Sequence, residues 1–109
     1  GKWNLHINLP TTYPSHPPTI HFTTPICHPN IKFPTGEICL DLLSDNWTPA
    51  AYGIVKTLEA VQYMLDWEVG AEPTSPLNVD VARLMREGDW VGVEGLVRFY
   101  TWFYAGGRG

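Results

Sequence analysis

The stretch TGEICLDLL, Thr35 to Leu43, sets Cys39, one of only two cysteines in the chain, between a Gly-Glu turn and an apolar run. A lone cysteine is usually a small buried hydrophobe, so a chemical role for Cys39 has to come from its neighbours. On the N-terminal side lies the proline-punctuated segment TPICHPNIKFPTGE, which has no regular periodicity. Irregular segments of this length, when ordered, commonly carry function. On the C-terminal side the pattern changes to a helical period.

Upstream, Trp3, Leu5, Ile7 and Leu9 alternate with Asn4, His6 and Asn8, the period-two signature of a half-buried strand that ends at Pro10. The segment TTYPSHPP cannot donate ladder hydrogen bonds at its three prolines and reads as a turn or extended connection. A second strand follows at Thr19 to Thr23. Downstream, Thr48 and Pro49 suggest a helix start. Ile54, Leu58, Val61 and Leu65, with Val55 and Met64, form an apolar stripe through a helix from Tyr52 to Trp67. VGAEPTSP breaks that helix, Asn78 can cap a short one through Met85, and Gly88-Asp89 can start a last one from Trp90 to about Tyr104. Strands first and helices afterwards give an α+β fold.

Composition narrows the function classes. The chain has 109 residues, 44% hydrophobic, with a formal charge of -4 and 7 Lys and Arg in all. That predicts one globular domain over 1-109 and no basic stripe for nucleic acid. Cys27 and Cys39 are too few for a disulfide scaffold, which points to a reducing, cytosolic compartment. VGVEGLVRFYTWFYA is broken by Glu94 and Arg98 and is shorter than the roughly 20 apolar residues a bilayer span needs. Gly1 already lies in strand-like sequence, which points to a natural start further upstream.

Cys27, His28 and Cys39 offer at most three soft metal ligands with no paired C-x-x-C spacing, which argues against structural zinc. A papain-like nucleophile would need a histidine base, and no His follows position 28. A thiol that carries an acyl group as a thioester needs neither. It needs an exposed sulfur, an amide donor for the oxyanion and a groove for the acyl chain.

The ordered series YPSHPP, HPNI, GEICLDLL, Trp47-Thr48-Pro49 and SPLN resembles the catalytic domain of the ubiquitin-conjugating enzymes over almost the whole chain. The resemblance implies an α+β fold with an antiparallel four-stranded sheet, entered here at the second strand, so that the N-terminal helix and first strand are lacking. It implies that Cys39 is the thioester-forming cysteine and that Asn30 offers a neutral amide to the oxyanion, with His28 and Pro29 fixing the loop; Asn30 could equally pin that loop by bonding local backbone, and the two roles are compatible. Ser75 matches the position beside the active site where relatives carry Asp or Ser; a serine hydroxyl is no useful base near neutral pH. Asp41 and Asn46 border the groove for the ubiquitin tail. Pro14, Trp47, Pro49 and Ala50 fall on the loops that meet RING ligases, and Ser15 stands where some relatives have phenylalanine. Trp47 could equally brace its own loop.

The implied partners are ubiquitin, its activating enzyme and RING-type ligases. No cofactor and no metal is implied; ATP is spent elsewhere in the pathway. The tail PLNVDVARLMREGDWVGVEGLVRFY is similar to that of the fungal peroxisomal ubiquitin-conjugating enzymes. This likeness implies a place at the cytosolic face of the peroxisome, a membrane-anchoring peroxin, and the import receptor as acceptor. Ser75 would suit a thiol acceptor, which loses its proton more readily than lysine. The competing expectations are a binding module of the same fold without chemistry, and a conjugating enzyme for another ubiquitin-like modifier. Finally, Trp90, Val93, Val97, Tyr100 and Tyr104 form one stripe of the last helix, while Leu96, Phe99, Trp102 and Phe103 crowd the rest; the outward face either packs internally or docks a partner such as the anchoring peroxin.

Overall fold

A computed structural model describes residues 1–38, 47–49, 53–68, 70–71 and 76–106. The element order is β1 (Leu5–Asn8), β2 (Thr19–Phe22), α1 (Ile54–Met64), α2 (Val79–Arg86) and α3 (Trp90–Tyr104). The class is α+β, as the element order in the sequence predicts.

β1 and β2 pair antiparallel, with Leu5 opposite Phe22 and Ile7 opposite Ile20. This register puts the apolar residues of both strands on one face, as strand alternation requires. His6 and His21 share the opposite face, their rings 5.2 Å apart. The sheet face packs on α1 through a cluster of Phe22, Ile31, Val61 and Met64, joined by Trp3, Leu5, Ile26, Ile38 and Leu65. A second cluster, Cys27, Val81, Met85 and Val93, holds α2 and α3 together and takes in Trp67, Leu84, Leu96 and Tyr100 at its margin.

The helix termini follow their capping residues. Asp89 accepts from the Gly92 N–H at 2.9 Å and starts α3, and Asn78 accepts from the Val81 N–H at 3.4 Å at the start of α2. For α1 the expectation was wrong in two respects. Its N-cap is Gly53, without a side-chain cap, so Thr48 and Pro49 lie outside the helix. Its buried line runs through Thr57, Val61 and Met64, while Val55 and Leu58 face solvent. The hydroxyl of Thr57 donates to the Gly53 carbonyl at 2.8 Å, which lets this polar residue occupy the buried stripe.

Between β2 and the segment that contains Cys39, the irregular stretch is more ordered than its composition suggests. Ile31 pairs antiparallel with Ile38, and His21 pairs with Glu37. The turn between them is closed by the Gly36 N–H donating to Lys32 O at 2.7 Å, and the Lys32 N–H donating to Glu37 O at 2.8 Å. Gly36 adopts φ +76°, and a Cβ there would lie 1.8 Å from the Phe22 carbonyl oxygen. Only glycine allows that approach of the turn to β2.

Candidate functional site

His28 is the hub of the site. Its side chain has 0% exposure, and its Nδ1 accepts from the Asn30 N–H at 3.1 Å. That contact places the ring proton on Nε2, which donates to the Met64 carbonyl, 2.8 Å away, in the last turn of α1. The ring also lies 5.2 Å from that of Trp67. Burial pushes the imidazole pKa down to about 4, against a smaller upward pull from the bond to Met64. The ring is therefore neutral near pH 7, as its donor and acceptor roles demand.

The next residue closes a second attachment. The Pro29 carbonyl accepts from the Leu77 N–H at 2.9 Å and the Asn78 N–H at 3.1 Å. The Ile31 N–H turns back onto the His28 carbonyl at 3.2 Å. The loop is thus bound to the end of α1 by a side chain and to the start of α2 by its backbone. Asn30, 4% exposed, sits at the fixed centre of this arrangement. It directly precedes Ile31, Cys39 directly follows Ile38, and Ile31 and Ile38 pair.

Among the other residues expected at the site, Pro14 and Pro49 are exposed. Trp47 is buried, and its Nε1–H donates to the Pro14 carbonyl at 2.9 Å, with the Tyr13 ring 6.2 Å from its own. Its indole ties the two candidate ligase loops together. Cys39, Asp41, Asn46, Ala50 and Ser75 lie outside the described residues. Cys27 is buried among α2 and α3 side chains, and desolvation raises its thiol pKa to about 11. A thiol so raised carries little thiolate near neutrality.

Sequence reasoning missed the partners that hold the loop. A backbone carbonyl at Met64 and two backbone N–H groups at Leu77 and Asn78 carry no residue-type signal. It also missed a crevice of about 170 Å³ lined by Phe33, Leu77, Asn78, Val79, Asp80 and Tyr100. Among the described residues no cluster of three His, Cys, Asp or Glu side chains could hold a metal ion.

This fold and loop define a class, and comparison with known proteins agrees: the family model described as Ubiquitin-conjugating enzyme matches residues 1–92, and the chain belongs to that family. Within it, the chain is similar to Ubiquitin-conjugating enzyme E2 PEX4 of Gibberella zeae, 50% identical over 100 residues that cover 92% of this chain and 56% of that protein. It is 47% identical to Ubiquitin-conjugating enzyme E2 pex4 of Dictyostelium discoideum over 104 residues, 95% of this chain and 67% of the relative. A crystal structure of the H. polymorpha ubiquitin-conjugating enzyme Pex4p in complex with the soluble domain of Pex22p superimposes with a TM-score of 0.85 at 35% identity, covering 94% of this chain and 66% of that one. The chain therefore spans 56% of the first of these curated relatives and 67% of the second.

Proposed function

We propose that residues 1–109 belong to a catalytic domain that accepts ubiquitin as a thioester on Cys39 and transfers it to an acceptor. The observation that carries this reading is the locked loop. Asn30, whose side chain is a neutral amide, is held through its backbone N–H on His28 Nδ1 and directly precedes the Ile31–Ile38 pairing, and the nucleophile candidate is the residue after Ile38.

In the charging step the Cys39 thiolate attacks the carbonyl carbon of the ubiquitin C-terminal glycine, carried as a thioester on the activating enzyme. The tetrahedral oxyanion collapses and expels the activating enzyme's thiolate. In the discharge step an acceptor amine or thiolate attacks the Cys39 thioester, and the Cys39 thiolate leaves; an attacking amine also gives up a proton to solvent or a base. Asn30 donates its amide N–H to the oxyanion and does not titrate. A fixed donor of this kind stabilises charge as it develops, at no cost of reorganisation.

Similarity to PEX4 proteins supports a peroxisomal role, with the import receptor as acceptor and work at the cytosolic face of the membrane. The H. polymorpha relative assembles with Pex22p, which supports an anchoring partner here as well. Ubiquitin, its activating enzyme and RING ligases complete the partner set. Charging of the full-length protein with ubiquitin tests the proposal. Cys39→Ala abolishes the reducing-agent-sensitive adduct and Cys27→Ser leaves it. Asn30→Ala leaves charging nearly normal and slows discharge to lysine, by about 2.7–4 kcal/mol if it acts as an oxyanion-hole donor. An adduct that survives Cys39→Ala would sink the assignment.

A further inference from the structure

The outer face of the sheet carries a pair of histidines that the proposed thioester chemistry does not use. His6 of β1 and His21 of β2 stand directly opposite each other in the antiparallel register, and directly opposed residues project from the same face of a sheet. That face lies away from α1, because Leu5 and Phe22, the next pair along the two strands, turn into the core. His6 is exposed and His21 half-buried. Among the described residues neither ring has a hydrogen-bond or ion-pair partner. The chain's other two histidines are placed differently: His28 has both ring nitrogens committed, to Met64 O and the Asn30 N–H, and His16 stands exposed in the connection between the strands.

The two ring centres are 5.2 Å apart, with the planes tilted by 46°. A shared metal ion requires this separation. A ligating imidazole nitrogen lies about 2.0–2.1 Å from zinc, which puts each ring centre about 3.2 Å from the ion, and at a tetrahedral angle of about 109° two such centres are about 5.2 Å apart. Ring packing alone gives similar spacings, as between His28 and Trp67. What distinguishes this pair is that its nitrogens are uncommitted. The second side-chain torsion of histidine is broad, so one nitrogen of each ring can be aimed at a common point at little cost.

The same row continues to Glu37, paired with His21 on its other side, and to Lys32, whose N–H donates to the Glu37 carbonyl. Their charges are opposite, so together they add no net charge beside the imidazoles. Among the described residues no cluster of three ligating side chains forms, so an ion here takes two imidazoles and completes its shell with water.

From this arrangement we propose that His6 and His21 bind one divalent ion of the class that favours imidazole, zinc above all, and so clamp β1 to β2. Imidazole suits zinc, copper and nickel, whereas magnesium and calcium take oxygen ligands. Each strand pairs over only four residues, so a cross-strand bond is a large addition to this ladder. In the unfolded chain the two imidazoles lie 15 positions apart and come together only at the cost of closing that loop, which makes the ion prefer the folded sheet.

Thermal unfolding of the full-length Cys39→Ser protein at increasing zinc concentration tests this; the serine removes a competing thiol. Tm rises with zinc, as a ligand that prefers the folded state demands, and the same concentrations of magnesium leave it unchanged. His6→Thr and His21→Thr, both compatible with a strand, lose the zinc-dependent rise, while His16→Thr keeps it; circular dichroism without metal checks that each variant is folded. In NMR spectra of the imidazole rings of the parent protein, the His6 and His21 signals shift together as zinc is added up to one equivalent. A Tm indifferent to zinc overturns the proposal, as does an equal rise with magnesium or a rise kept in full by either folded threonine variant. So does a spectrum in which only one of the two rings responds.

Discussion

His28 should set the acid limit of this fold. The ring is fully buried, donates to Met64 O and accepts from Asn30 N–H, so only its neutral form fits. Its pKa is about 4 in the folded chain, against about 6.5 for an exposed histidine. Between those values the unfolded chain binds a proton that the folded chain does not, so stability falls as pH falls, and below about 4 this group adds no further loss. The difference of about 2.5 units, at 1.36 kcal/mol each, amounts to about 3 kcal/mol, a large fraction of the stability of an ordinary domain. The measurement is urea unfolding at steps from pH 7.5 to about 4, followed by tryptophan fluorescence. His28→Gln, an amide that cannot take up the proton, should start about 1–3 kcal/mol less stable through its imperfect hydrogen bonds. It should lose less on acidification by about the histidine's share. The other histidines are present in both proteins, so the difference between the two curves isolates position 28. Parallel curves would show that the buried imidazole does not control the acid limit.

Three further outcomes follow from single contacts. Gly36→Ala drives a Cβ to within 1.8 Å of the Phe22 carbonyl at φ +76° and should cost about 2–5 kcal/mol in chemical denaturation; a cost below 1 kcal/mol would refute the close approach of the turn to β2. Cys27, buried with its pKa raised to about 11, should react with a thiol reagent in the Cys39→Ser protein only on unfolding, and native labelling at the rate of a free thiol would contradict its burial. Trp47→Phe removes the 2.9 Å bond to Pro14 O and should lower stability by about 1 kcal/mol, read as a downward shift of Tm; an unchanged Tm would mean that the indole N–H does not brace the loop.

The sequence reveals most where a residue's own chemistry decides the outcome. Asn78 and Asp89 can satisfy helix N–H groups, and α2 and α3 begin directly after them. The alternation of Leu5 and Ile7 with His6 and Asn8 gives β1 its correct face. Of the α1 stripe, Val61, Met64 and Leu65 pack inward, but Leu58 is exposed and Thr57 buried in its place: a hydrophobicity pattern ranks Leu58 above Thr57, whereas the threonine satisfies its hydroxyl within its own helix. The anchorage of the HPN loop was illegible for a different reason. Met64 lies 36 residues after His28, and what it contributes is a main-chain oxygen. Long-range bonds to backbone groups leave no residue-type signature, so the motif could be recognised while the physical cause of its rigidity could not. Cys39, Asp41, Asn46, Ala50 and Ser75 were singled out by resemblance, and their roles rest on the proposal above.

The rigidity itself has a catalytic consequence that can be separated from stability. Under the proposed mechanism Asn30 contributes only if its amide is already aimed when the oxyanion forms, because a donor that must reorient spends part of its stabilisation in doing so. Its backbone N–H is held by His28 Nδ1, and His28 is held by Met64 O. His28 therefore acts on transfer as a positioning residue, through Asn30 and not by contact with the thioester. The two effects should then be non-additive. His28→Gln alone should slow discharge of the thioester, and in the Asn30→Ala background the same substitution should slow it no further, because the group it positions is gone. Single-turnover discharge to free lysine, measured at a pH and temperature where all four proteins are folded, gives the coupling directly as a double-mutant cycle. Multiplied defects in the double variant would mean that His28 affects transfer by a route independent of Asn30, and would refute its role as a positioning residue for that amide.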